Sequence, residues 1–332
     1  MSAFEAEFWR RWGEGAAAHA RGNMPEAVQR WKEAHEYQDE EYRRAYGPRV
    51  VRYLCCEDWA QNMGHIAHLD IFAKAARLGK LDYPHIVLAD DDKIHNPSMF
   101  DCFRSHFEVK PRGNSADVVL SKVPCAVIKL DGSWIWFIDA ANIVERAWGN
   151  QGPLCTLSSE RVEYGREKLG LKDGDWFVAF HAREYRDGQS GRDGNRGSFN
   201  MSMVEVMRSG GKPVMMPTGD RVLDTFLTAK AKFVVSSNSG PAWMAGVFGT
   251  PVLGVDWHPV GIELPYKGSM TIPKKIRHKG SQDTLPLSQM TKTPLNHMLD
   301  EQALATLGWE LVPNTPDEVL GGVRQMIERM GS

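Results

Sequence analysis

A pattern of apolar runs, each ending in a polar loop, dominates the second half of this chain. "WFVAFH" (176–181), "KPVMMPTGD" (212–220), "KFVVSSNSG" (232–240) and "TPVLGVD" (250–256) all stop at polar or glycine-containing residues. A run that is apolar at successive positions suits a strand buried on both faces, because a half-exposed strand would alternate in polarity. Between the runs, "MSMVEVMRSGG", "RVLDTFLTAKA" and "PAWMAGVFG" carry apolar residues at helical spacing. Strand and helix in alternation predict a mostly parallel, doubly wound sheet, whose strand-end loops share the edge where such sheets bind ligands.

The first half reads differently at its start. Residues 1–47 are rich in Ala, Glu, Arg and Trp and predict two helices, broken where Gly22 and Asn23 end one and Pro25 begins the next. "GNMPEAVQRWKEAHEYQ" looks like half of a tetratricopeptide repeat. With no second copy at the repeat period, a helical cap on the following domain is the better reading. From Pro48, "RVVRYLCC", "HIVLAD", "CAVIKL" and "SWIWFID" read as strands, and "MGHIAHLDIFAKAARLG" and "AANIVERAW" as helices. The expected domains are therefore a helical segment (1–47), a first Rossmann-like domain (48–157) and a second (158–332). The last helix is announced by Thr315, Pro316 and Glu318 as N-cap, first-turn proline and capping-box partner. Its apolar face needs a surface to cover, and a return onto the first domain is one option.

Length and charge bound the function classes. At 332 residues the chain exceeds one ordinary core. Its 40 basic and 42 acidic residues give a formal charge of −2, which provides no overall pull toward nucleic acid or anionic membrane. Any bound anion must then be held by local geometry. The five cysteines, among them the adjacent pair Cys55 and Cys56, form no CxxC or Cys/His metal spacing and read as reduced thiols. No apolar run approaches the roughly 20 residues of a membrane span, and the N-terminus lacks a basic start before an apolar core. The expected location is the cytoplasm. The aromatics of "FWRRW" near the N-terminus are expected to pack on a second copy of the chain or on the first domain.

The strongest chemical signal is "SSNSGPAWMAGVFGTPV" (236–252). Ser237, Asn238, Ser239 and Gly240 end a strand and Pro241 opens a helix, so unpaired N–H groups and the helix dipole face the strand edge, as in phosphate sites. The same residue types also make ordinary caps. Arg183, two residues past the strand-ending His181, brings a guanidinium to that edge, and a fork of N–H donors opposite backbone donors suits a diphosphate. His181 either donates to the same anion or braces the loop. Thr218, Gly219 and Asp220 lie on the same edge and either meet a ribose or base or cap the next helix through Asp220. In the first half, Asp58 and His65 in "EDWAQNMGHIAH" are the candidates for a base, against the plainer reading of a solvated Asp and a packed His. Asp90, Asp91 and Asp92 after a strand fit a carboxylate cluster for a divalent metal, or an acidic turn.

Taken in order, "GHIAHLD", "FVAFHAREYRD", Gly-Gly before a strand ending in Gly-Asp, "AKAKFVVSSNSGPAWMAGVFGTPV", "IPKKIRH" and "NTPDEVLGGVRQMI" resemble a bacterial glycosyltransferase family. That family is GT-B-like and distantly similar to the O-fucosyltransferases and to nodulation fucosyltransferase. The resemblance implies two Rossmann-like domains facing a cleft, with a GDP- or UDP-linked sugar donor on the C-terminal one and no metal or other cofactor. It places the diphosphate-contacting arginine of a His-x-Arg motif at Arg183, beside His181, and implies a glycan, lipid-linked or protein hydroxyl as acceptor. Two stretches depart from the family: Pro217 and Thr218 stand where an arginine is usual, and "GQSGRDGNRGSFN" is unusually glycine-rich. A catalytically idle scaffold and a metal-dependent transferase using Asp90 to Asp92 remain the alternatives.

Overall fold

The computed structural model describes residues 3–48, 52–55, 63–83, 85–90, 94, 96–111, 126–184 and 190–331. The chain divides into two compact units, Met1–Gly152 and Pro153–Ser332. No described helix is long and apolar enough to cross a membrane.

The first unit begins with helices α1 (Ala3–Ala20) and α2 (Met24–Tyr46), joined by a tight turn in which Asn23 caps the Glu26 amide and Gly22 takes a φ of 76°. The seam between them is aromatic: Phe8, Trp12 and Trp31 are buried, with the Trp12 and Trp31 rings 5.5 Å apart. A Cβ on Gly15 would lie 2.6 Å from the Trp31 ring, so that glycine lets the helices close. Phe8 and Trp12 therefore fill the helix pair itself and are not offered to a second copy. The pair is fastened to the rest of its unit by His35 stacking on Trp134 at 4.7 Å and by Tyr83 donating to Asp39 at 2.5 Å.

Strands β1 (Arg52–Cys55), β2 (His85–Leu88) and β3 (Glu108–Lys110) form a parallel sheet in that order, and α3 (Met63–Arg77) lies between β1 and β2 in the chain. The next two strands depart from expectation. β4 (Val127–Leu130) and β5 (Ser133–Trp136) pair with each other as an antiparallel hairpin instead of extending the parallel sheet. Asp131 and Gly132, both at positive φ (48° and 82°), make the two-residue turn whose twist suits a hairpin. Helix α4 (Phe137–Trp148) follows and packs on α3. At their contact Lys74 is buried between Asp70, 2.7 Å away, and Glu145, 2.6 Å away.

The second unit contains α5 (Ser159–Leu169), β6 (Phe177–His181), α6 (Asn200–Arg208), β7 (Lys212–Met216), α7 (Arg221–Lys230), β8 (Phe233–Ser236), α8 (Gly240–Val247), β9 (Val252–Trp257) and β10 (Met270–Pro273). These five strands form one parallel sheet, in the order β10-β9-β8-β6-β7. The continuous apolar runs of the sequence are explained by two cores. Val178, Phe180, Phe233, Val235, Leu253 and Val255 face one side, and Phe177, Ala179, Val234 and Val252 face the other, against α7 and α8. On the first side sits the final helix α9 (Pro316–Arg329), entered through the expected Thr315–Glu318 capping box. Its Val319, Val323, Met326 and Ile327 complete the core of its own unit. Strands β11 (Lys275–His278) and β12 (Trp309–Val312) add an antiparallel pair that the sequence did not announce.

The buried Lys74 cluster yields a stability test. Lys74→Ala strands two carboxylates and should destabilise the protein by about 3–5 kcal/mol in urea unfolding. Replacing Lys74, Asp70 and Glu145 together by Met, Leu and Met should recover most of that loss.

Candidate functional site at the C-terminal edge of the second sheet

The strand order places one feature above all others. The chain runs from β6 outward to β7, then crosses back over β6 to β8, so the connections leaving β6 and β8 go opposite ways. At such a switch point the loops diverge and leave a crevice outside the carboxyl ends of the strands. His181 ends β6 and is paired across the ladder with Met216 on one side and Ser236 on the other. The "HAR" and "SSNSG" segments therefore flank the same crevice.

Within it, the His181 side chain makes the bracing contact: its Nδ1 lies 2.9 Å from Ser239 Oγ, which lies 3.0 Å from Ser236 Oγ. Ser239 is the N-cap of α8 but makes no side-chain bond to the helix's first amides, because its hydroxyl is engaged with His181 and Ser236. Ser237, Asn238 and Ser239 are buried and Gly240 opens the helix. The start of α8 thus presents its backbone donors and dipole without a serine in front of them.

Arg183 meets that segment first through its backbone, whose N–H donates to Ser237 Oγ at 2.8 Å. Its guanidinium lies 3.5 Å from the carboxylate of Asp193. The described part of the glycine-rich stretch, from Ser190 on, approaches the strand ends. Gly194 N–H donates to Arg183 O at 3.0 Å, and a Cβ on Gly194 would come within 3.0 Å of Ser237 Cβ. Only a residue without a side chain allows so close a layer.

Two further cations lie here that sequence reasoning did not single out. Arg192 donates through Nε to Asn238 O at 3.0 Å, and Lys274 donates to Gly191 O at 2.9 Å. Burial lowers the Arg192 pKa to about 10, with Arg183 nearby adding to the effect. Burial also lowers Lys274, while Asp256, Glu301 and Asp193 act the other way. Asp256 is fully buried and accepts from the backbone of Asn195 at 3.0 Å and of Asn314 at 2.6 Å. His258 lies beneath. Its backbone oxygen accepts from Asn238 Nδ2 at 3.0 Å, and its Nε2 faces Met298 O at 2.7 Å and so carries the proton. Its Nδ1 has no hydrogen-bond partner among the described residues. The signals in the sequence were slight: an arginine among glycines in "SGRDGNRG" and the lysine pair of "IPKKIRH".

The remaining expected residues lie as follows. Thr218 and Asp220 follow β7 beside β6, but their polar groups close the turn into α7. Thr218 N and Oγ1 both donate to Asp224 at 2.8 Å, and Asp220 caps Val222 and Leu223 and accepts from Tyr164 at 2.5 Å. Gly219 between them has a φ of 87°, the left-handed region glycine favours. His65 is on α3 in the first unit, 5.7 Å ring to ring from His68. Asp58, Asp91 and Asp92 lie outside the described residues, and Asp90 stands just past β2.

Fold and edge together define an α/β unit with three cations and one helix start gathered at its switch point. No family model and no curated protein matches the sequence. Among solved structures, the chain is similar to the ADP-heptose lipopolysaccharide heptosyltransferase II of E. coli, at 12% identity and TM-score 0.45, covering 84% of this chain and 99% of that one. It is also similar to a glycosyl transferase family 9 protein of Veillonella parvula, at 10% identity and TM-score 0.42, covering 85% and 97%. A third is the iron-containing dodecameric glycosyltransferase TibC of enterotoxigenic E. coli, at 12% identity and TM-score 0.44, covering 86% and 77%.

The buried His258 yields a pH test. Burial lowers its pKa from 6.5 to about 4, with Lys274 and Arg192 adding to the shift. The unfolded chain therefore binds more protons than the folded one between those values. Stability from this group is complete above pH 6.5 and falls as pH drops toward 4, by about 3 kcal/mol in all. His258→Gln should flatten that part of the stability profile measured by denaturant titration.

Proposed function

We propose that this chain is a glycosyltransferase that holds a nucleoside diphosphate sugar at the C-terminal edge of the second unit's sheet and passes the sugar to a hydroxyl acceptor. The observation that carries the reading is the meeting of Arg183 with the Ser237–Gly240 segment at the switch point, with Arg192 and Lys274 beside them. A protein of near-neutral net charge that gathers three cations at one strand edge has placed donors for an anion where such sheets bind ligands.

The chemistry follows from where charge develops. Cleaving the bond between the sugar's anomeric carbon and the diphosphate leaves negative charge on the departing phosphate oxygens. Donors already fixed in place stabilise that charge without reorganising, an effect of about 3–4 kcal/mol for a single well-aimed donor. Arg183 is the donor assigned to the diphosphate, and the first amides of α8 are a second set. Arg192 and Lys274, tied to Asn238 and Gly191, hold the loops that shape the crevice. His181 keeps Ser239 turned away from the helix amides.

The finer parts of the reading come from the residues and the resemblance together. The donor is GDP- or UDP-linked, a fucosyl-type sugar being the narrower case. Transfer runs without a metal, and the acceptor is a glycan, a lipid-linked sugar or a protein hydroxyl. Asp58 or His65 takes the acceptor proton, or the attack needs little base when the sugar is already cation-like.

A panel of GDP-, UDP- and dTDP-sugars titrated onto the purified protein should reveal one that binds and releases nucleotide on incubation with an acceptor. Arg183→Ala should cut turnover with that donor by about 10²–10³-fold. Lack of affinity for every member of the panel would overturn the reading, and loss of turnover on chelation would overturn its metal-free part.

A further inference from the structure

The Arg183 guanidinium lies beside a carboxylate of its own chain. Asp193 Oδ1 is 3.5 Å from Arg183 Nη1, and the two side chains are only 19% and 11% exposed. That same oxygen is shut off from solvent and accepts no hydrogen bond from a described residue. A buried carboxylate oxygen normally accepts at least one hydrogen bond and has room for two. Here it has a charge partner and an unused lone pair, both in the crevice proposed for a diphosphate.

We propose that Asp193 is a built-in counter-ion of the anion site: it neutralises Arg183 while the crevice is empty, and a phosphate group binds together with one proton that neutralises Asp193. This rests on the reading of the crevice as a diphosphate site. The proton comes from solvent and forms an O–H bond on the Asp193 carboxylate, which then donates a hydrogen bond to a phosphate oxygen.

Proton uptake, not withdrawal of the loop, follows from how the neighbours are pinned. Arg192 is tied to Asn238, Gly194 N–H to Arg183 O, and Asn195 N–H to the buried Asp256. The backbone on both sides of Asp193 is therefore held against the strand ends, and its carboxylate stays within reach of whatever Arg183 binds. The charged groups around it are Arg183 after β6, Arg192 on its own loop, Lys274 after β10 and Glu301 on the short helix Glu301–Thr306, with the neutral His258 beneath that loop. Burial already raises the Asp193 pKa, against the pull of Arg183 and Lys274. A phosphate at Arg183 takes up that attraction and adds like charge, so the carboxyl is driven further toward its protonated form.

The test compares wild type with Asp193→Asn, a near-isosteric change that keeps a hydrogen-bonding group, using inorganic pyrophosphate as probe. At about pH 8 the variant should bind pyrophosphate about tenfold more tightly, and the gap should narrow as the pH falls and solvent protons become available to the wild-type carboxylate. Taking the ratio of the two proteins cancels the probe's own ionisation. Calorimetry of the wild type in two buffers of different ionisation enthalpy should show proton uptake beyond that seen with the variant. Equal or weaker binding by a folded Asp193→Asn variant at about pH 8, with Arg183→Ala still abolishing affinity, sinks the counter-ion idea and leaves the diphosphate site standing. A variant that fails to fold leaves the wild-type calorimetry to decide: no proton uptake overturns the proposal. If neither pyrophosphate nor any nucleoside diphosphate sugar binds the wild type, both readings fall.

Discussion

The second unit depends on the two-sided pairing of β6. Its residues are buried on both faces, and its backbone is bonded to β7 on one edge and β8 on the other. A one-residue slip in either ladder would exchange Val178 and Phe180 for Phe177 and Ala179 between the two cores. Both cores are filled by helices, so that exchange would leave cavities on one side and overpacking on the other. The register is consequently determined by packing far from the crevice, and it fixes His181 opposite Ser236. Every contact at the candidate site starts from that pairing.

The crevice shows how an α/β unit accommodates several charges at one edge. Arg183, Arg192 and Lys274 would be costly together in a low-dielectric setting, since burial disfavours each charged form and like charges repel. The protein offsets this with Asp193, Asp256 and Glu301, and by giving two of the cations carbonyl acceptors. Asp256 is stabilised by backbone amides from two different segments. The cluster is thereby close to electrically balanced when empty. A phosphate bound there, as proposed, would upset that balance, and a titratable member such as Asp193 could restore it.

Local rules were enough for much of the fold and for part of the site. The capping box at Thr315 and Glu318, the proline opening α2 and the strand runs of the second unit are each encoded within a few residues, and the structure contains them all. The hairpin of β4 and β5 was also encoded, in Asp131-Gly132, but two apolar runs near other strands read as members of the same sheet. Arg192, Lys274, Asp256 and His258 had no local signal of comparable strength. They come from three separate segments, and their relation exists only through hydrogen bonds that span tens of residues.

By itself the sequence determined most of the segments that form strands and helices, which strands of the second sheet are buried on both faces, and which polar residues stand at their ends, because period, capping and turn chemistry act over short spans. Tertiary structure alone decided the strand order, and with it the switch point between β6 and β8. It also decided that the Asp220 carboxylate caps a helix, that Ser239 turns to His181, and that Asp193 pairs with Arg183. Those outcomes turn on which of several nearby partners a side chain meets once the backbone is in place, and that competition is settled only by packing across the whole unit.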